Sequence, residues 1–122
     1  MKQILIVEDK PTSRELLRTV LEQQGYEVVE AEDGEQALVR IRERVPDLVL
    51  MDLQMPAKNG YEVLREIRSD SRLGKLPVIA VTANAMPEDR DKVMAAGFTG
   101  YIAKPVALAR LREEVNHLLT DH

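Results

Sequence analysis

The chain has 122 residues, 44% hydrophobic, 31% charged and only 3% aromatic, which suits one domain with a core of Leu, Val, Ile, Ala and Met. Its formal net charge of −4 gives no electrostatic reason to expect nucleic acid, and the absence of cysteine removes disulfide and thiolate chemistry. The first apolar run, residues 4–7, closes at Glu8 and is too short for a signal-peptide core or a membrane span. The expectation is a single cytoplasmic domain over residues 1–122, with neither nucleic acid nor membrane as partner.

In chain order, "QILIV" from Gln3 reads as a first strand, and Leu16, Leu17, Val20 and Leu21 form a helical stripe stopped by Gly25. The start of that helix has two readings: Pro11 as its first residue, or Thr12 as a cap with Glu15 at capping-box spacing. "YEVVEA" from Tyr26 is a second strand. The pair Asp33-Gly34 opens a second helix carrying Ala37, Leu38 and Ile41. "DLVLM" from Asp47 precedes a third helix with Val63, Leu64 and Ile67. "PVIAVTA" from Pro77 precedes a fourth with Val93, Met94 and Ala96, where Pro87 suits a first turn and Gly97 a stop. "GYIA" from Gly100 leads to Leu108, Leu111, Val115 and Leu118 at helical spacing. The first, third and fourth strand runs lack alternation, as strands covered on both faces do. Five βα units with short connections predict an α/β fold, a doubly wound parallel sheet with right-handed crossovers.

In open α/β sheets ligands bind at the carboxyl ends of strands, where the winding reverses. Glu8 and Asp9 end the first strand and Asp52 the third. If those strands are neighbours, three carboxylates converge; at ~5 Å and an effective dielectric of about 20, each like-charge pair costs on the order of 3 kcal/mol. A hard cation such as Mg²⁺ answers that repulsion better than proton uptake. Strand four ends in Thr82, a hydroxyl able to donate to a phosphoryl oxygen, and "YIAKP" places Lys104 at the same edge. Acids, hydroxyl and ammonium around one aspartate predict a phosphoryl-transfer site with Asp52 as nucleophile.

The motifs "IVED", "DLVLMDLQMPAKNGYEV", "VIAVTANA" and "YIAKP", in that order, resemble the receiver domains of the two-component response regulators along the whole chain. The resemblance implies a flavodoxin-like (βα)5 fold with strand order 2-1-3-4-5 and a phosphoacceptor function without conventional enzyme turnover. By it, Asp52 accepts a phosphoryl group from a histidine kinase or histidine phosphotransfer protein, in a reaction the domain itself catalyses, as it does the later dephosphorylation. Asp9 and Asp52 ligate Mg²⁺, Gln54 adds its backbone carbonyl and Glu8 acts through water. Thr82, Lys104 and the backbone N–H of Ala83 contact the phosphoryl group. Tyr101 resembles the aromatic that turns inward with Thr82, switching the face of helix four, strand five and helix five toward a downstream protein target; otherwise it is a strand tyrosine on the sheet edge. The Lys104–Pro105 bond is cis in the family. An output domain is not expected within the chain.

Several positions depart from the family pattern. Glu8 stands where aspartate is more usual. Lys10 is either a solvated helix-start lysine or a second cation near the phosphoryl site. Lys58 occupies a loop position that is often apolar in relatives, on a surface a kinase would use. Val106 and Ala107 offer the last helix no side-chain cap. His117 and His122 read as exposed and unconnected with the acids, and Met86 and Met94 as gap-filling core. A flavin module of the same architecture would need a hydroxyl- and glycine-rich loop after strand one, where "VEDKPTSR" presents acids. An aspartyl phosphohydrolase would need a second acid where Gln54 stands. A degenerate, phosphate-independent receiver would lack part of the set Asp9, Asp52, Thr82 and Lys104.

Overall fold

The computed structural model describes residues 1–55, 58–83 and 86–120. Five strands and five helices alternate: β1 (Gln3–Val7), α1 (Pro11–Gln23), β2 (Glu27–Ala31), α2 (Gly34–Glu43), β3 (Leu48–Asp52), α3 (Gly60–Ser69), β4 (Val78–Thr82), α4 (Pro87–Ala95), β5 (Gly100–Ala103) and α5 (Leu108–Leu119). All neighbouring strands pair in parallel, in the order β2-β1-β3-β4-β5. Every residue of β1, β3 and β4 is buried, as their unbroken apolar runs require, whereas the edge strand β2 is buried at only two of its five positions.

The sheet has two cores, one on each face. Ile4, Ile6, Leu48, Leu50, Ile79 and Ile102 meet Leu17, Val20 and Leu21 of α1 and Leu111, Val115 and Leu119 of α5. Val7, Val49, Met51, Val78 and Ala80 meet Ala37, Leu38 and Ile41 of α2, Val63, Leu64 and Ile67 of α3, and Val93 of α4. Side chains alternate between faces along each strand, so the register decides which core each residue joins. Among the described residues no helix is long and apolar enough to cross a membrane.

The helix starts resolve the open readings. Pro11 is the first residue of α1, and Lys10 precedes it without a side-chain cap, so the Thr12 alternative falls. Asp33 caps α2 by accepting from Gln36 N at 2.8 Å. Asn59 and Glu62 form a full capping box at α3, a spacing already present in the sequence. Ala107 gives α5 no side-chain cap, as expected. Two expectations need correction. Met86 and Met94 are not core: they are 57% and 42% exposed, because α4 buries only Val93. Leu16, placed in the α1 stripe, is likewise half exposed. His117 is exposed, and His122 lies outside the described residues.

One arginine ties the far ends of α3 and α4 together. Arg68 donates to Leu76 O at 2.8 Å, to Gly97 O from two nitrogens at 3.0 and 3.2 Å, and to Leu73 O and Gly74 O at 3.4 and 3.3 Å. Burial lowers its pKa. Gly97 sits at φ 108°, the left-handed conformation that ends α4 and turns its carbonyl toward this guanidinium. Arg68→Met should therefore strand several carbonyls and cost about 1–3 kcal/mol in urea unfolding. Arg68→Lys should recover only part of that, because an ammonium cannot serve Gly97 and Leu76 with the same planar fork. A fully stable Arg68→Met protein would show that water replaces these bonds without cost.

Candidate functional site

The carboxyl edge of the sheet gathers the side chains that the sequence nominates. β1 and β3 are adjacent, with Ile6 opposite Leu50, and β3 and β4 place Asp52 opposite Val81. Val81 in turn faces Ile102. Counting by twos along each strand, Glu8, Asp52 and Lys104 all belong to the face covered by α1 and α5. Thr82 has the opposite phase. It follows Ala80, which pairs with Tyr101, so Thr82 and Tyr101 share the face covered by α3 and α4.

Ligand oxygens of Glu8, Asp9 and Asp52 lie within 4.8 Å of one another. Glu8 and Asp52 are almost wholly buried, at 1% and 3% exposure. Lys104 Nζ stands 3.1 Å from Glu8 Oε2 and 3.5 Å from Asp52 Oδ2. Burial raises the Glu8 carboxyl above its ordinary range; the Lys104 hydrogen bond opposes this and the charge of Asp52 adds to it. Burial also works against the Lys104 ammonium, but the Glu8 hydrogen bond and the Asp52 charge outweigh it and hold its pKa high. Asp52 Oδ1 accepts from the backbone N–H of Gln54 at 3.0 Å, and Glu8 Oε1 from that of Lys10 at 3.3 Å. Asp9 differs from both, since its Oδ1 is buried and finds no hydrogen-bond donor among the described residues.

That unsatisfied oxygen is the observation against which a cation can be tested. A buried acceptor beside two further carboxylates lacks positive charge, and an all-oxygen donor set matches a hard divalent ion. Glu8, Asp9 and Asp52 therefore fit Mg²⁺.

The neighbouring elements fix this arrangement. A Cβ on Gly60 would lie 2.9 Å from Asp52 O and 3.0 Å from Met51 Cγ, so only glycine lets α3 begin so close to the end of β3. Lys58 pairs with Glu35 of α2 at 3.0 Å and with Glu66 of α3, so this lysine is a local tether rather than a bare charge on the loop. Lys10 is exposed at the head of α1. Thr82 is buried and lines a cleft of about 240 Å³ with Leu53, Gln54, Tyr61, Asp89 and Lys92. Ala83 follows it at an exposed position. Tyr101 is partly buried against the α2–α4 core. The Lys104–Pro105 bond is cis.

The signature described as "response regulator receiver domain" matches residues 4–116. The chain belongs to that family. It is a receiver domain of a two-component system, similar to single-domain regulators. It is 40% identical over 120 residues to the polar-differentiation response regulator DivK of Brucella anthropi, covering 98% of both chains. Among solved structures, the receiver domain of the sensor histidine kinase PA1611 from Pseudomonas aeruginosa is 35% identical, with 98% of each chain covered and a TM-score of 0.89. That structure has a magnesium ion coordinated in its active-site cleft. The Vibrio cholerae chemotaxis response regulator CheY4 is 29% identical over 98% of this chain and 99% of its own, with a TM-score of 0.91. Receiver domains bind Mg²⁺ at an acidic site and act in signalling with histidine kinases and downstream targets.

This receiver domain contains one contact at the acid loop that sequence reasoning missed. Arg14 looks like an ordinary helix arginine, yet its side chain is only 12% exposed and reaches back to the backbone of Glu8 and Asp9. Only the distant acids Glu30, in β2, and Glu32, just past its end, could have hinted at it.

The unpartnered Asp9 oxygen yields a sign. In metal-free buffer Asp9→Asn should raise stability to denaturant by on the order of 1 kcal/mol, because it relieves like-charge repulsion at a partly solvated position. A loss of stability would mean that the Asp9 carboxylate is held by a favourable contact instead.

Proposed function

We propose that residues 1–122 form one phosphoacceptor unit acting in the cytoplasm, with Asp52 as the residue that takes the phosphoryl group. The observation that carries this reading is the buried Asp52 carboxylate between a second acid pair and Lys104. In the transfer, an Asp52 oxygen attacks the phosphorus of a phosphohistidine on a kinase or phosphotransfer protein. The new O–P bond forms as the N–P bond breaks, and the imidazole leaves with the bonding electron pair. Asp52 Oδ1 is held by the Gln54 N–H, which fixes the carboxylate plane and leaves Oδ2, the oxygen nearer Lys104, in line for attack.

Asp9 and Asp52 would hold Mg²⁺ directly, with the backbone carbonyl of Gln54, while Glu8 acts through water. When bound, the ion supplies positive charge against the three carboxylates and the incoming phosphoryl oxygens. Lys104 exchanges its Asp52 contact for a phosphoryl oxygen and keeps Glu8. The Thr82 hydroxyl and the Ala83 N–H donate to the remaining oxygens. Phosphorylation and dephosphorylation of Asp52 are both catalysed by these groups. A phosphohydrolase reading is disfavoured by Gln54, which supplies no acid two residues beyond Asp52.

With Mg²⁺ and acetyl phosphate, the protein should gain one base-labile phosphoryl mass, and Asp52→Asn should gain none, since an amide is a poor nucleophile. Equal labelling of that variant would move the acceptor elsewhere.

The phase difference along the strands supports a switch to an unidentified downstream protein. Thr82 and Tyr101 lie on the α4 side of the sheet, whereas Asp52 and Lys104 lie on the other, so a phosphoryl group grasped by Thr82 draws on both faces. Phosphorylation would shift an existing equilibrium of the α4–β5–α5 face. Beryllofluoride, which mimics the acyl phosphate, should move amide resonances from Ala83 to Lys104 in the wild type. In Thr82→Ala the movement should stay near Asp52. Purely local shifts in the wild type would identify a phosphoryl carrier without a switch.

A further inference from the structure

Asp9 poses a question of aim. Its Oδ1 is buried without a donor among the described residues, so no side-chain bond from them to that oxygen directs it toward Asp52. Its direction must come from the backbone of the β1–α1 loop, residues 8–10. That loop has little help from the helix it enters, because α1 has no side-chain cap and no acid in its first turn. Glu8 N donates to Ala31 O at 3.1 Å, which fixes one point. Lys10 N donates to Glu8 Oε1 at 3.3 Å and the backbone N–H of Arg14 to Lys10 O at 3.0 Å, which leaves the carbonyls of Glu8 and Asp9 to the Arg14 side chain. Its Nη1 donates to Glu8 O at 2.9 Å and to Asp9 O at 3.3 Å. Its Nε is bound by Glu30 Oε1 at 3.1 Å, and its Nη2 stands 3.8 Å from Glu32 Oε1. The guanidinium thus spans from the two carbonyls of the acid loop to the carboxylates at the end of β2.

We infer that Arg14 is a positioning residue for the cation site, which orients Asp9 and Glu8 through their backbone carbonyls while touching none of the three converging carboxylates. The planar fork is what the task needs: one nitrogen for two carbonyls and another, in fixed geometry, for Glu30. Glu30 is prepared for this, since its hydrogen bond to Arg18, then that to Arg14, hold its carboxyl below the ordinary range against burial. The inference rests on Asp9 and Asp52 being Mg²⁺ ligands.

Charge and position make opposite predictions here. Arg14 carries a positive charge beside an acidic site, so removing it on electrostatic grounds alone would tighten Mg²⁺ binding. Removing an orienting brace would weaken it.

The test is Mg²⁺ titration of the full chain, read by calorimetry and by the amide resonances of Glu8, Asp9 and Lys10. Wild type should bind saturably, and Asp9→Asn should lose that binding. Arg14→Gln should bind roughly tenfold more weakly, the lower end of what orienting partners of metal ligands contribute. Arg14→Lys, which keeps the charge and loses the fork, should be nearly as weak. Glu30→Gln cuts the ion pair while leaving the carbonyl bonds, so its Mg²⁺ affinity should stay close to wild type even if its stability drops. Wild-type or tighter binding by Arg14→Gln overturns the inference, as does wild-type affinity in Arg14→Lys. Equal weakening in Glu30→Gln also overturns it, because general loosening would then explain the effect. If Asp9→Asn binds like wild type, the ligand assignment itself is wrong and the inference goes with it.

Discussion

Three carboxylates held within 4.8 Å of one another, two of them buried, are the constraint around which this edge of the sheet is organised. Lys104 meets Glu8 and Asp52, and Asp9 keeps an oxygen without a donor among the described residues. Such an arrangement survives in a folded chain only because the strands that carry it are fixed from both faces. β1 and β3 have no exposed residue, and their side chains are divided between two separate cores. The burial of that apolar surface offsets the repulsion. A hard cation at this acidic site would relieve it further.

The sequence made the fold legible because its strongest signals are repetitive. Unbroken runs at residues 4–7, 48–51 and 78–81 can only be strands covered on both sides, and the helical stripes between them leave no other connection than βαβ crossovers. Positions where a single residue competes with the pattern were less legible. Leu16 satisfies the helical period of α1 and is half exposed, because the apolar stripe is wider than the part of the helix that packs on the sheet, which buries Leu17, Val20 and Leu21. Met86 and Met94 have core chemistry but sit just before and on a helix with one buried side chain.

The candidate site divides in the same way. Glu8, Asp9, Asp52, Thr82 and Lys104 could be nominated from the strand ends, and the structure brings the three acids together with Lys104. Their distribution between the faces could not be read without the register, since Asp52 lies opposite Val81 and not opposite Thr82. Arg14 was invisible for another reason. Its partners are two main-chain oxygens, and a carbonyl leaves no mark in a sequence. Arg68, bound to four carbonyls at the other end of the molecule, is hidden in the same manner.

The packing of α4 determines what a phosphoryl group at Asp52 could move. Coupling between sites is typically worth ~1–3 kcal/mol, and a shift can be no larger than the differential contacts that drive it. Helix α1 buries Leu17, Val20 and Leu21, and displacing it would cost several such units. Helix α4 buries Val93 alone, an anchor worth about 1.5–3 kcal/mol when fully covered. The scale of the signal and the hold on α4 are therefore matched. The hold is also one-sided. Arg68 grips Gly97 just past the C-terminus of α4, whereas the N-terminal turn presents Met86, Pro87 and Glu88 to solvent. Thr82 precedes that loosely held end by a few residues. On the proposed reading, a pull on its hydroxyl reaches α4 where the least packing resists it, with the Arg68 clamp as the fixed point.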